Sequence, residues 1–202
     1  QGLACHIGSQ ICSLDPFEQA FRRMAGLCRD LRSMGISLTT IDLGGGLGIR
    51  YRKETPIHLP RYAGLVQKYF GAEGIRILLE PGRFLLADAG LLLTRLLYRK
   101  ETRGKRFYIV DAGMNDLIRP TLYQAWHEIL PLRQIAATRL RKTDVVGPLC
   151  ETGDFLAKQR ELPGMKPGTF LAVMQAAAYG YAQASNYNAR GRAAEVFLDG
   201  AQ

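Results

Sequence analysis

With 202 residues, 47% hydrophobic and 22% charged, the chain can bury one large core or two modest ones, and no apolar run reaches the roughly 18 residues of a membrane span. Its net charge of +9, from 27 basic against 18 acidic residues, is scattered through mixed stretches such as "YRKETRGKR" and is not gathered beside stacked aromatics, which argues against nucleic-acid and membrane partners. Four cysteines without CxxC spacing and three histidines without HxxxH spacing make neither a disulfide framework nor a metal site, and suit reduced thiols in a cytoplasmic protein.

The chain opens on what reads as a strand end. From Asp15 to Gly35 the helix signals are complete: Asp15 as N-cap, Pro16 at the first helical position, and Glu18 three residues after the cap. Phe17, Phe21, Met24, Cys28 and Leu31 recur at helical spacing, and Gly35 stands where a terminating glycine belongs. A short strand is predicted at "SLTTIDL", a helix at "IHLPRYAGLVQKYFG" and an apolar strand at "IRILLEPG", ending in Glu80. Alternating strands and helices predict a parallel α/β sheet or barrel over residues 1–89. From about residue 90 the strand-like runs are "LLLTRLLYRKE", "RFYIVDAG", "ATRLRKTDVVG", "TFLAVMQAAA" and "AAEVFLDG", and only "PTLYQAWHEIL" reads as helix. A second, mostly antiparallel β domain is therefore expected over 90–202.

Gly44, Gly45 and Gly46 follow the second strand directly. Each glycine costs roughly 0.5–1 kcal/mol of chain entropy relative to alanine, so the run requires either a strained turn or something that must touch bare backbone. The amides of Gly44–Gly46, with a second set at Gly82 and Arg83, could form a concave anion nest at neighbouring strand ends. Alone the triplet is a weak signal, lacking the Lys-Ser/Thr of a P-loop and the spacing of a dinucleotide fingerprint. Taken singly, His6 reads as a structural histidine, the arginines as surface pairs, and the tyrosines and cysteines as packing.

Read together, "HIGSQ", "GGGLG", "EPGR", "VDAGMNDLIRPTLY", "GPLCETGDFLA" and "AAAYGYAQASNYNARGRAAEV" resemble the fold-type III, pyridoxal-phosphate-dependent amino acid decarboxylases, in that family's order and through nearly the whole chain. The resemblance implies an α/β plus β fold: the C-terminal part of a pyridoxal-phosphate-binding (β/α)8 barrel of the alanine racemase type, then a β domain. It implies that Gly44, Gly45 and Gly46 receive the phosphate of pyridoxal 5'-phosphate with Ser9 close by, and that His6 lies flat on the ring. Glu80, an acid expected to be buried at its strand end, would keep the pyridine nitrogen protonated. Pro81, Gly82 and Arg83 complete the coenzyme loop, and Tyr179 reaches both coenzyme and substrate. Arg83, Arg119, Tyr123, Glu151 and Tyr179 are the implied substrate residues. Cys150 is the implied proton donor to the carbon that has lost carbon dioxide, a role that suits a thiol because thiols with an ordinary pKa of about 8.5 are protonated at neutral pH.

Within the family the likeness is strongest to members that convert meso-diaminopimelate to lysine and carbon dioxide. A substrate with a second amino acid head group wants an arginine fork for its distal carboxylate and an acid for its ammonium. A relative acting on ornithine, arginine or carboxynorspermidine would want an acidic pocket instead. A homologue that only binds a partner enzyme would have no use for Cys150, Glu80 and the triple glycine. The resemblance also implies a homodimer with a shared active site and a coenzyme-bearing lysine upstream of "HIGSQ". On that basis the chain is expected to be an incomplete piece of the barrel, inactive by itself. Gly191 replaces a residue that is usually proline in the family.

Overall fold

A computed structural model describes residues 1–72, 74–135 and 139–200. The chain divides into two compact units, one from Gln1 to Ala87 and one from Asp88 onward.

The first unit runs β1 (Gly2–Ala4), α1 (Asp15–Ser33), β2 (Thr40–Asp42), α2 (Leu59–Phe70), β3 (Arg76–Leu78) and α3 (Gly82–Leu86). Its strands form a parallel sheet in the order β1-β2-β3, with Leu3 opposite Ile41 and Ile41 opposite Ile77. Ile41, on the central strand, is fully buried. Among the described residues neither outer strand has a further neighbour, which is why β1 and β3 are more exposed than β2. Phe17 and Phe21 of α1 pack edge-on against Tyr62 of α2, with ring centroids 5.2 and 5.7 Å apart. Burying each phenylalanine contributes about 2–3 kcal/mol, and burial lifts the Tyr62 phenol to about 12.

Helix α1 departs from its expected cap. Leu14, not Asp15, is the residue before the first helical position, and no side chain caps the end. The Asp15 N–H instead meets Ser13 Oγ at 3.4 Å. Glu18 does not reach back to close a capping box, because Lys68 Nζ and Tyr69 Oη of α2 both donate to its carboxylate, at 2.7 and 3.1 Å. The other end follows the sequence. Gly35 has φ +80°, its N–H meets the Arg32 carbonyl, and the Ile36 N–H meets the Leu31 carbonyl, the paired bonds of a Schellman stop.

The second unit contains β4 (Leu92–Thr102), β5 (Lys105–Val110), α4 (Arg119–Tyr123), β6 (Ile129–Pro131), β7 (Arg141–Val146), β8 (Phe155–Leu162) and β9 (Phe170–Val173). They make one sheet ordered β6-β9-β4-β5-β7-β8, antiparallel throughout except for the β5–β7 pair. Leu96, Tyr108, Val110, Leu117, Val145, Leu156, Leu171 and Val173 form its core. Arg106 is buried here, with no hydrogen bond to a carboxylate among the described residues. Its guanidinium donates to Thr143 Oγ1 and to the Leu162 carbonyl, each at 2.7 Å, and burial pulls its pKa down.

Three expectations need correction in this unit. "PTLYQAWHEIL" is not one helix: α4 stops at Tyr123, Gln124 turns left-handed at φ 52°, and Ile129–Pro131 pair antiparallel with β9. "AAEVFLDG" is not a strand, and Val196, Phe197 and Leu198 are 79%, 92% and 90% exposed. A strand exists only through its neighbour, and among the described residues this segment has none. Strand β8 was hidden by the polar run "KQRE", where Arg160 stays buried by donating to the His127 carbonyl at 2.7 Å and stacking on Trp126. The first two residues of "ATRLRKTDVVG", Ala137 and Thr138, lie outside the described residues; its later part forms β7. Among the described residues no helix is long and apolar enough to cross a membrane.

Candidate functional site

The C-terminal ends of the three parallel strands converge on the glycine run. The Gly45 N–H points at His6 Nδ1 at 3.3 Å, and the Glu80 N–H meets the Gly44 carbonyl at 2.8 Å. His6 thus presents Nδ1 as an acceptor, so its neutral ring carries the proton on Nε2. One reason for the three glycines is visible in the backbone around them. Gly44 and Gly46 have φ of +67° and +93°, and a Cβ on Gly44, Gly45 or Gly46 would run into the carbonyl of Cys5, Glu80 or Gly8, respectively. The space a side chain would need is already filled by neighbouring backbone. Nor are the amides all poised for an anion, because the Gly44 N–H is taken by Asp42 Oδ1 at 2.8 Å and the Gly82 N–H by the Glu80 carbonyl at 2.8 Å.

Glu80 is exposed, not buried as expected. It follows an outer strand whose far side is uncovered among the described residues. Pro81 and Gly82 lead into α3, where Arg83 donates to Ser9 Oγ at 3.0 Å and to Tyr51 Oη at 2.6 Å. His6, Ser9, Gly44–Gly46 and Glu80–Arg83 therefore gather at one end of the sheet, with His6, Ser9, Glu80 and Gly82 exposed and Gly44 and Gly45 buried beneath them. Clefts of about 230 Å³, lined by Val66, Phe70 and Ile75, and about 300 Å³, lined by Asp111, Arg190 and Arg192, involve none of them.

Two contributors to this surface had no sequence signal. Tyr51, nearly buried, supplies the phenol that receives Arg83. The loop bearing Tyr51 is folded around Glu54, whose Oε2 accepts the N–H groups of Tyr51, Arg52 and Lys53 at 3.1, 2.7 and 3.1 Å. Those amides, that of Arg52 foremost, hold the Glu54 carboxyl below its ordinary pKa. A depressed carboxylate pKa contributes stability that is present above the unfolded value of about 4.3 and is lost as pH falls through the folded value. Glu54→Gln in the full-length protein should therefore cost on the order of 1 kcal/mol at pH 7, discounted for partial exposure, and nothing further once the wild-type carboxyl is protonated. Urea midpoints of both proteins at pH 7 and pH 3.5 check this; an equal gap at both pH values would mean that the charge is irrelevant.

The second unit carries the remaining residues. Cys150 and Glu151 are exposed on the loop between β7 and β8. That loop is tied down by Asp154, 4% exposed, which accepts the Met114 N–H at 2.7 Å and the Leu149 N–H at 2.6 Å. Thr121 of α4 also donates to the Gly153 carbonyl. Arg119 and Tyr123 lie on that same short helix, so the structure brings their element against the Cys150 loop.

Arg119 is 6% exposed, and its Nη1 lies 2.7 Å from His127 Nε2. A guanidinium only donates, so Nε2 accepts and the Nδ1 proton goes to the Met174 carbonyl at 2.8 Å, leaving the ring neutral. Tyr123 is exposed. Tyr179 has φ +66°, a left-handed conformation that costs an aromatic residue about 1–2 kcal/mol and tends to mark functional positions. Sequence reasoning passed over Asp154 and Tyr187, though both stand inside quoted motifs. The Tyr187 phenol donates to Glu151 Oε2 at 3.2 Å, and that bond, ahead of the charge of Glu151, raises its pKa.

A parallel strand-helix unit with its candidate residues at the C-terminal strand ends, joined in one chain to a largely antiparallel sheet, makes this an α/β plus β protein. Residues 11–177 match the family described as "Pyridoxal-dependent decarboxylase, C-terminal sheet domain", and the chain belongs to that family. It is 51% identical over 201 residues to a protein of Pseudomonas aeruginosa named diaminopimelate decarboxylase, covering 100% of this chain and 48% of the relative. An Aquifex aeolicus protein of the same name is 45% identical over 202 residues, covering 98% and 47%. The crystal structure of Helicobacter pylori diaminopimelate decarboxylase complexed with L-lysine superposes with a TM-score of 0.89 at 40% identity, covering 95% of this chain and 47% of that one. The chain spans about half the length of the curated relatives it matches.

Proposed function

We propose that the protein carrying this chain removes one carboxyl group from meso-diaminopimelate, with pyridoxal 5'-phosphate as coenzyme, to give L-lysine and carbon dioxide. The observation that carries this reading is the stapled loop bearing Cys150 and Glu151 beside the helix bearing Arg119 and Tyr123. It stands in a chain about half identical to proteins named diaminopimelate decarboxylase.

The residues present fit the coenzyme. An imidazole, a hydroxyl, a carboxylate and a guanidinium gather at one end of the parallel strands, around a loop whose Cβ directions are closed by backbone. Bound there, pyridoxal phosphate supplies a sink for the electrons left behind when carbon dioxide departs. Ser9 and the Gly44–Gly46 loop, whose Gly44 N–H stays with Asp42 Oδ1, would hold its phosphate, His6 would support the ring face, and Pro81 and Gly82 would bring Glu80 to the ring nitrogen to keep a proton there. Tyr179 touches both coenzyme and substrate.

Cys150 delivers a proton to the carbon that lost its carboxyl group. Glu151 accepts the ammonium of the far head group, and Arg83, Arg119 and Tyr123 receive its carboxylate. Arg119 Nη1 is held at His127 Nε2, which fixes the plane of its guanidinium. A diamine-forming substrate such as ornithine has no distal carboxylate for these groups, so it is the weaker reading. The active form is a homodimer in which Cys150 and Glu151 serve the coenzyme site of the partner copy, and the lysine that carries the coenzyme lies outside this chain.

The test is product formation by the purified full-length protein with added pyridoxal phosphate, supplied separately with meso-diaminopimelate, ornithine and arginine. Lysine and carbon dioxide should form from the first at least about tenfold faster than products from the others, which corresponds to about 1.4 kcal/mol of discrimination. Faster turnover of ornithine or arginine would overturn the substrate assignment.

A further inference from the structure

We propose that Tyr187 is a positioning residue for Glu151, holding the carboxylate by one oxygen so that the other is presented to a substrate ammonium. The ammonium rests on the decarboxylase reading above; the contact itself rests on geometry alone.

Tyr187 Oη donates to Glu151 Oε2 at 3.2 Å. Both partners are carried on backbone that is tied down. On one side, Asp154 and Thr121 staple the loop of Glu151. On the other, Tyr187 begins a tight turn in which Asn188 has φ 55° and ψ 31° and Ala189 has φ 57°. Asparagine tolerates the left-handed region, whereas alanine is disfavoured there. The turn is held in this conformation at both ends. The Ser185 N–H meets the Asn115 carbonyl at 2.9 Å, Arg190 Nη2 donates to the Asp111 carbonyl at 2.7 Å, and Asn186 Nδ2 closes the turn on the Arg190 carbonyl at 2.9 Å. A turn with one disfavoured residue, Ala189, anchored in this way restricts the backbone from which Tyr187 projects, and its side chain meets Glu151.

The chemistry favours a phenol in this place. Glu151 is exposed, and a free glutamate loses rotamer entropy when a ligand orders it. A carboxylate already held by a hydrogen bond avoids part of that cost at the moment of binding. A lysine or arginine would also hold it, but would occupy the place of the substrate cation. The phenol donates one proton and leaves the negative charge intact. Its raised pKa, caused first by the hydrogen bond to Glu151, keeps it a donor throughout the neutral range.

The experiment has one arm that needs neither coenzyme nor substrate. In full-length protein labelled with ¹³C-tyrosine, one phenol resonance should titrate above the ordinary value of about 10 and move back toward it in Glu151→Gln. That variant leaves Tyr187 in place, so this arm decides even if Tyr187→Phe fails to fold. If no resonance responds to Glu151→Gln, the proposal is overturned, whatever the enzyme's substrate proves to be. In the kinetic arm, Tyr187→Phe should raise KM for diaminopimelate about 5- to 10-fold with kcat within about twofold, and the double variant should be no worse than Glu151→Gln alone. Losses that add in the double variant would show that Tyr187 does not act through Glu151.

Discussion

Glu80→Gln in the full-length protein is expected to slow decarboxylation of diaminopimelate about 10²- to 10³-fold while changing pyridoxal phosphate affinity by less than about tenfold. The two quantities separate because they depend on different atoms. On the proposed reading, affinity is carried largely by the phosphate, held near Ser9 and the Gly44–Gly46 loop. The Glu80 N–H meets the Gly44 carbonyl through its main chain, so an amide side chain leaves that loop intact. On the same reading, rate depends on the carboxylate, whose charge would keep a proton at the ring nitrogen and which a neutral amide cannot replace. Single-turnover rates and coenzyme titration on the same preparation measure both. Parallel losses in rate and affinity would make Glu80 a structural residue.

A mixture of two inactive proteins should regain activity if the site is shared between copies. One protein carries Cys150→Ala, and the other lacks the coenzyme-bearing lysine outside this chain. When they are co-expressed, random pairing makes half of the dimers mixed, and each mixed dimer rebuilds one intact site of two. About a quarter of the wild-type sites should therefore return, from components that are each nearly inactive. The prediction is motivated by the exposure of Cys150 and Glu151 on a loop that Asp154 ties down, and by their membership of a different unit from His6, Gly44–Gly46 and Glu80. If mixed dimers are isolated and remain as inactive as the parents, Cys150 serves a site on its own chain or none.

Much of the architecture was written locally. The run Pro16, Phe17, Phe21, Met24 and Cys28 up to Gly35 encodes α1 and its Schellman stop with short-range information alone, and the structure departs only at the first turn, where Glu18 prefers Lys68 and Tyr69 of α2. That preference could not be read from the chain, because it depends on a helix fifty residues away. The same limit accounts for the missed β8 and the unformed strand at "AAEVFLDG". Arg160 is tolerable inside a sheet only because the His127 carbonyl and Trp126 receive it, and Val196 to Leu198 have strand composition but no neighbouring strand among the described residues.

For the candidate site, the sequence by itself determined the family and which residues to examine, since motifs in a fixed order survive without any knowledge of distance. Only the tertiary structure decided why Gly44–Gly46 are glycine, because the obstructing carbonyls of Cys5, Gly8 and Glu80 come from the two neighbouring strand ends. It also decided that Glu80 is exposed and that Asp154 and Thr121 staple the Cys150 loop. Tyr51, Glu54 and Tyr187 emerged only there as supports of Arg83 and Glu151. A positioning residue is defined by what it touches, and contacts between residues 32 or 36 positions apart exist only once the chain has folded.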